Sequence, residues 1–285
     1  MMRTVYFQVA EHIFAVMANE NLLGEMTQYA PFAVDETMPV FTLREATAEQ
    51  MPDTTGLTVE TTQDDDGSQI VAGHIGKDSY FEFLLWGKRA ARMLVSEDYR
   101  EATVWLENNR LFGMNNALMV MYALATADKH TALFHSSVVS YNGRGYMFLG
   151  KSGTGKSTHS SLWLRYINGT ALVNDDNPVV RVFPEGARVF GSPWSGKTPC
   201  YRCVSYPLGG IVQLSQAPYN QIRRLKGIEA YASLVPSISG KRWDKSVADG
   251  LHETENALAK QVAVWHLECL PDEAAAQLCN QTIAE

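Results

Sequence analysis

The sequence predicts a two-part α/β protein: a β-rich N-terminal domain (residues 1–114) followed by a mixed-sheet domain (115–285). In the first part, short apolar runs alternate with turn clusters, which is typical of strands joined by tight turns. Residues 115–127 read as a helix that joins the two parts. From about residue 130, strand patterns alternate with helical ones around a glycine-rich loop.

Composition and charge favour a folded protein that binds a small molecule or another protein. The chain has 285 residues, 46% of them hydrophobic and 19% charged, enough to form a sizeable core. Its net charge of −7 and the lack of any dense Lys/Arg run argue against nucleic-acid binding. The sequence leaves the oligomeric state open, a homo-oligomer included.

Three features predict a cytoplasmic protein without a membrane segment. Gln8, Glu11 and His12 interrupt the N-terminus, which makes it a poor secretory signal. The longest apolar run, 117–125, is too short to cross a bilayer. The four cysteines are too unevenly spaced for a disulfide framework and are expected to be reduced thiols.

Residues 150–157 (GKSGTGKS) fit the pattern G-x-x-x-x-G-K-[ST] of a phosphate-binding P-loop. An apolar strand pattern precedes the motif and a helical one follows it. Successive backbone N–H groups at a helix N-terminus attract anions, and Lys156 adds a positive charge. The hydroxyl of Ser157 can bind Mg²⁺. The expected nucleotide-binding residues are Gly150, Lys151, Ser152, Gly153, Thr154, Gly155, Lys156, Ser157 and Thr158.

A β-hairpin is predicted immediately before this loop. Asn142-Gly143 lies between the apolar runs 133–141 and 144–149, a strong signal for a two-residue turn. The resulting register pairs residue 141 with 144 and 137 with 148. Continued further, it puts His135 opposite Gly150, at the edge of the phosphate site. The alternative is a structural histidine buried in a strand.

Asp175 and Asp176 follow the short apolar strand 171–173 that comes after the loop and its helix. Carboxylates in this position commonly bind Mg²⁺ or accept a proton from the attacking group. Neighbouring side chains on an extended strand point to opposite faces, so the two are expected to have different roles. The alternative is a polar turn before Pro178.

Residues 191–198 (GSPWSGKT) repeat the same glycine–lysine spacing. Pro193 removes an amide from the loop, and Pro199 follows at once with no helical pattern after it. We therefore expect an ordinary loop here. Lys197 and Arg202 are candidates for substrate binding, with plain surface residues as the alternative.

The order of His135, the P-loop motif and the Asp pair resembles the catalytic domain of the HPr kinase/phosphorylase family, which is related in fold to ATP-dependent phosphoenolpyruvate carboxykinases. The resemblance covers about residues 130–285. It implies a mixed-sheet P-loop kinase fold that uses ATP and Mg²⁺. It also implies that His135 lies near the transferred phosphate, that Asp175 is the base and that Asp176 lies near the metal.

The function expected from this resemblance is transfer of a γ-phosphate to a hydroxyl, such as that of serine, on a protein or small molecule. Lys156 would neutralise developing charge, and Ser157 and Asp176 would hold the metal. The usual N-terminal domain and glutamate-bearing signature of the bifunctional enzymes are not evident, so the acceptor stays open. The alternatives are a carboxykinase-like enzyme and a non-catalytic nucleotide-sensing regulator.

Overall fold

The structure of the protein, a computed structural model, describes residues 1–47, 50, 52–196 and 198–284. The chain forms two compact units, Met1–Thr126 and Ala127–Glu285. Each unit contains a mixed β-sheet, so the predicted mixed α/β class is confirmed. Among the described residues, no helix is long and apolar enough to cross a membrane.

The first unit is built on a sheet of order β3-β1-β2-β4-β9-β8-β7-β6-β5. Neighbouring strands are antiparallel except for the two parallel pairs made by β4, with β2 and with β9. The strands are β1 (Met2–Val9), β2 (His12–Asn19), β3 (Ala33–Val34), β4 (Phe41–Ala46), β5 (Thr58–Asp65), β6 (Ser68–Ile75), β7 (Asp78–Leu85), β8 (Lys88–Val95) and β9 (Glu101–Leu106).

The described residues of the first unit also form the α-helices α1 (Glu20–Glu25) and α2 (Arg110–Thr126). Helix α2 packs on β8 and β9, and its Tyr122 hydroxyl donates to the carbonyl of Val9 at 2.9 Å. The helix that was expected to join the two parts therefore packs within the first unit. The domain boundary at 114/115 stays a prediction.

The second unit contains a sheet of order β10-β14-β15-β16-β12-β11-β13, with β18 beside β16 and β17 beside β18. Its strands are β10 (Thr131–Leu133), β11 (Ser136–Tyr141), β12 (Arg144–Leu149), β13 (Ala171–Asp176), β14 (Val179–Phe183), β15 (Gly186–Phe190), β16 (Ser205–Gln216), β17 (Gln221–Leu225) and β18 (Val264–Cys269). Its helices are α3 (Lys156–Tyr166), α4 (Ile228–Leu234), α5 (Lys245–Gln261) and α6 (Glu273–Ile283).

The predicted hairpin register is confirmed within β11 and β12, where Tyr141 pairs with Arg144 and Ser137 with Phe148. The prediction of one continuous strand over 133–141 is wrong. The chain leaves β10, which pairs with β14, and enters β11, which pairs with β12 and β13. This change of partner interrupts the ladder at residues 134 and 135.

The sheet brings several strand ends to one edge. Strands β12 and β13 are both antiparallel to β11, and β16 is parallel to β12. The carboxyl ends of β12, β13 and β16 therefore lie beside the start of β11. One face of this sheet is covered by α3 and α6, with Phe148, Trp163 and Cys279 fully buried between the layers.

Candidate functional site

The glycine-rich loop connects β12 to α3 at this edge. Gly153 has φ 77° and Gly155 has φ 107°, backbone conformations that favour glycine. Helix α3 begins at Lys156, and N–H groups in the first turn of a helix have no partner within that helix. The side chains of Ser157 and Thr158 are exposed. The loop therefore presents amide donors, a helix N-terminus and a free hydroxyl at one surface.

Lys156 differs from the exposed Lys151, since it is only 8% exposed. Its Nζ donates to the carbonyl oxygen of Gly150 at 2.9 Å and to that of Lys151 at 3.4 Å. It also lies 2.9 Å from Nε2 of His135. The ammonium group is thus bound by the loop and by the imidazole together.

His135 connects Lys156 to a carboxylate. Its Nδ1 lies 3.0 Å from Oδ1 of Asp176, whose Oδ2 accepts from Nδ2 of Asn177 at 2.8 Å. An ammonium group can only donate, so Nε2 of His135 must be the acceptor and Nδ1 must carry the proton. The result is a directed series of hydrogen bonds from Lys156 through His135 to Asp176.

The predicted pairing of His135 with Gly150 is not formed. Strand β11 begins at Ser136, and the backbone N–H of His135 donates instead to the carbonyl of Ser237 at 2.7 Å. The imidazole nevertheless reaches the loop through Lys156, which bonds to Gly150. The register therefore placed the side chain near the loop, although the backbone contact is different.

The two aspartates differ in position and exposure. Both lie in β13, with Asp175 opposite Ser137 and Asp176 opposite Ser136. Because directly opposed residues share a face and neighbours alternate, the two carboxylates are on opposite faces. Ser137 bonds to Ser160 of α3, so Asp175 is on the helix-covered face, where it is 5% exposed. The side chain of Asp176 is 31% exposed.

Residues 191–196, part of the second glycine–lysine match, form a loop against β13. The N–H of Gly196 donates to the carbonyl of Asp175 at 2.8 Å, and Ser195 forms a β-bridge with Asp176. Nδ2 of buried Asn174 donates to Oγ of Ser192 at 3.1 Å. The described residues 198–204 directly after this segment form no helix, as expected from its prolines. The loop holds the aspartate-bearing end of β13 in place.

The two predicted substrate-binding residues have different outcomes. Lys197 lies outside the described residues. Arg202 is exposed, and its guanidinium donates to the carbonyl of Leu172 at 2.5 Å. At about 3.3 Å of strand per residue, this carbonyl is roughly 13 Å from the Asp176 end of β13. The structure therefore does not bring Arg202 together with His135 and Asp176.

A comparison with protein families identifies the chain. The model of the family described as "SynChlorMet cassette protein ScmC" matches residues 103–268, more than half of the chain. The chain belongs to this family. None of the curated proteins matches this ScmC-family chain.

One solved structure similar to the ScmC-family chain is the Hpr(Ser) kinase/phosphatase from Coxiella burnetii. The match covers 53% of this chain and 93% of that one, with 11% identity and a TM-score of 0.31.

Two side-chain contacts that support the site of this ScmC-family chain involve residues outside any sequence motif. Nε2 of Gln216, at the end of β16, lies 3.3 Å from the carbonyl oxygen of Gly153 and 3.5 Å from that of Thr154. Oγ of Ser137 lies 2.6 Å from Oγ of Ser160, which fixes β11 against α3. Only knowledge of which strands lie side by side could have found these contacts.

Burial decides the ionisation of the groups beneath the loop. His159 lies on the buried side of α3, and burial lowers its pKa to about 4. Its Nε2 accepts from Nε1 of Trp163 at 3.2 Å, as a neutral imidazole can.

Burial also raises the pKa of the Cys200 thiol, and Cys200 and Cys203 are both free. Cys200 and Cys203 are therefore free thiols, as expected for the cysteines of this sequence.

Oxygen ligands at this edge are of a kind that Mg²⁺ can bind. Among the described residues there is no group of three or more His, Cys, Asp or Glu able to hold a metal. Mg²⁺ does not need one, because it is bound in phosphotransfer sites by one or two carboxylates together with substrate phosphates and water. A hydroxyl from Ser157 and a carboxylate from β13 are ligands of that kind.

Proposed function

We propose that the protein is a phosphotransferase that moves the γ-phosphate of ATP, with Mg²⁺, to a hydroxyl on a protein or small molecule. The observation that carries this proposal is the hydrogen-bonded series Lys156–His135–Asp176 at the glycine-rich loop. It joins a phosphate-binding cation to an imidazole that can accept a proton. These are the groups that positioning and electrostatic catalysis of phosphoryl transfer require.

The donor's phosphates would bind at the loop. The amides of the loop and of the first turn of α3 supply hydrogen-bond donors, and the helix N-terminus supplies partial positive charge. Lys156 would turn from the loop carbonyls to the phosphates, since a charged oxygen is a stronger acceptor than a neutral carbonyl.

Magnesium would be held by Ser157 and Asp175. Asp175 lies on the sheet face that α3 covers, and Ser157 is the second residue of α3. The ion would neutralise charge on the phosphates. The family resemblance implies the reverse division of roles, with Asp175 as base and Asp176 near the metal. We prefer Asp175 for the metal because it lies on the helix side.

The proton of the acceptor hydroxyl would go to His135. Its imidazole is half-buried, so an acceptor can approach it, whereas Asp175 is 5% exposed. Asp176 acts as a positioning residue: it holds the Nδ1–H tautomer and stabilises the imidazolium that forms, as the carboxylate does in hydrolase triads.

The test is incubation of the protein with γ-labelled ATP, Mg²⁺ and a panel of hydroxyl acceptors that includes free serine and a cell extract. Label should appear on an acceptor with the parent protein and with Lys226→Met, and should be lost with Lys156→Met. Lys226 is the control, because it is an exposed lysine that follows β17, at the end of the sheet away from the glycine-rich loop.

Other outcomes would replace the proposal. Tight nucleotide binding with no transfer to any acceptor would indicate a nucleotide-sensing regulator. Nucleotide-dependent decarboxylation of oxaloacetate would indicate a carboxykinase-like enzyme. No nucleotide binding at all would remove both the proposed function and these alternatives.

A further inference from the structure

We infer that Lys156 blocks the proton-accepting nitrogen of His135 until the phosphates of the donor take over its ammonium group. This inference rests on the proposed function and adds to it an order in which the two substrates bind. The donor must bind first, and donor binding itself makes the base available for the acceptor hydroxyl.

The contacts of Lys156 engage the acceptor nitrogen of His135. An ammonium group can only donate, and the acceptors of Lys156 include Nε2 of His135 and the carbonyl oxygens of Gly150 and Lys151. The neutral imidazole has one acceptor nitrogen. While Nζ lies 2.9 Å from Nε2, that lone pair is engaged and cannot receive a proton from a substrate.

The phosphates of the donor compete with His135 and the loop carbonyls for the ammonium group of Lys156. A triphosphate offers charged oxygens, which form stronger hydrogen bonds to an ammonium than carbonyl or imidazole acceptors do. Lys156 is the first residue of α3, so rotation of its side chain is enough to change partner. Nε2 is then released, while Nδ1–H stays bonded to Asp176.

The transfer step exchanges one phosphorus–oxygen bond for another. The acceptor oxygen forms a bond to the γ-phosphorus as the bond from that phosphorus to the β,γ-bridging oxygen breaks. The bonding electron pair leaves with the nucleoside diphosphate. The hydroxyl proton moves to Nε2 of His135, which becomes an imidazolium held by the carboxylate of Asp176. No redox partner is required.

The first experiment measures access to Nε2 by carbethoxylation with diethyl pyrocarbonate, which needs an available imidazole lone pair. Mass spectrometry of the peptide that contains His135 gives the rate at this one residue. Lys156→Met should react roughly tenfold faster than the parent, since a hydrogen bond to a charged donor has been removed. Lys226→Met, a change of an exposed lysine at the opposite end of the sheet, should react at the parent rate. Equal rates in all three proteins would overturn the inference.

The second experiment needs no variant of Lys156 and therefore does not depend on its folding. Full-length protein with ¹⁵N-labelled imidazoles has seven histidines, and loss of one signal in His135→Gln assigns the resonance. The nucleotide-free protein should show the Nδ1–H tautomer. Addition of Mg²⁺ and a non-hydrolysable ATP analogue should keep that tautomer and shift the Nε2 resonance.

These results distinguish the two ideas. If calorimetry shows no binding of the analogue, the proposed function is wrong. If the analogue binds but the Nε2 resonance stays in place, or if the free protein shows the Nε2–H tautomer, only the blocking role of Lys156 is wrong.

Discussion

The hydroxyls of Ser137 and Ser160 lie 2.6 Å apart and join β11 to α3 one helical turn beyond the glycine-rich loop. Both residues are at most 2% exposed. Since Asp175 is directly opposite Ser137, this bond also fixes the distance between the loop helix and the strand that carries the carboxylates. It is therefore a structural support of the candidate site.

Replacing Ser137 by Ala should destabilise the second unit by about 1–3 kcal/mol, because it leaves the buried hydroxyl of Ser160 without a partner. The matched control is Ser136→Ala. Ser136 is equally buried, but in the described part of the chain its Oγ has no hydrogen-bond partner. This change should be neutral or stabilising. Native-state hydrogen exchange of the β11 amides measures both effects.

The same measurement on Ser137→Ala/Ser160→Ala should recover part of the lost stability, because both polar partners are then removed. If Ser136→Ala and Ser137→Ala cost the same, the hydroxyl pair contributes nothing and the support is only packing.

The assignment of the two aspartates predicts different losses for two isosteric changes. Asp176→Asn should reduce the rate of transfer by about 10²–10⁴-fold, as expected when proton transfer is impaired, with little change in nucleotide affinity. Asp175→Asn should instead raise the Mg²⁺ concentration needed for half-maximal rate. Rates measured against Mg²⁺ for both variants check this. If the two profiles are exchanged, Asp175 is the base.

Local patterns were sufficient to predict part of this site. The turn at Asn142-Gly143 fixes the pairing of β11 with β12 by counting alone, and the glycine-rich loop sits between a strand and a helix as its motif requires. Both depend on residues close together in the chain. For that reason the sequence already indicated that His135 would lie near the loop.

The other features of the site depend on pairing between strands that are far apart in the sequence. The break between β10 and β11 arises because β10 pairs with β14, some 50 residues away, and nothing near His135 in the sequence signals it. That Asp175, and not Asp176, lies on the helix-covered face follows from the pairing of β13 with β11. Gln216 reaches the loop only because β16 lies next to β12.

Stability should depend on pH through His159. Its pKa is about 4 in the folded protein and 6.5 in the unfolded chain, so between these values the unfolded state binds more protons. Unfolding free energy should therefore fall as the pH is lowered from 6.5 to 4, by up to about 1.4 kcal/mol per pH unit from this group. Above pH 6.5 both states are neutral and the effect disappears.

Carboxylates also titrate in this range, so the test is the difference between the parent protein and His159→Gln. Glutamine keeps an acceptor for Nε1 of Trp163 but does not titrate. Urea unfolding of both proteins from pH 4 to 7 should give a difference that changes with pH in the stated direction. A constant difference would mean that His159 is not the group responsible.

Gln216 should support the loop from outside. Its Nε2 contacts the carbonyl oxygens of Gly153 and Thr154, and these contacts help to orient the adjoining amides towards the phosphate site. Gln216→Ala should weaken ATP binding by roughly two- to tenfold, the effect of one hydrogen bond of about 0.5–1.5 kcal/mol. Gln216→Glu should weaken it further, because its oxygens face carbonyl oxygens and its charge lies near the phosphates.

Ionic strength distinguishes the loss of affinity in Gln216→Glu from that in Gln216→Ala. The extra loss in Gln216→Glu is electrostatic and should shrink as ionic strength rises from 0.01 to 0.5 M, whereas the loss in Gln216→Ala should change much less. Calorimetric titration with a non-hydrolysable ATP analogue at both salt concentrations measures each. Parent-like affinity in both variants would show that the loop keeps its conformation without Gln216, and that the glycine-rich segment and α3 are sufficient to orient the amides.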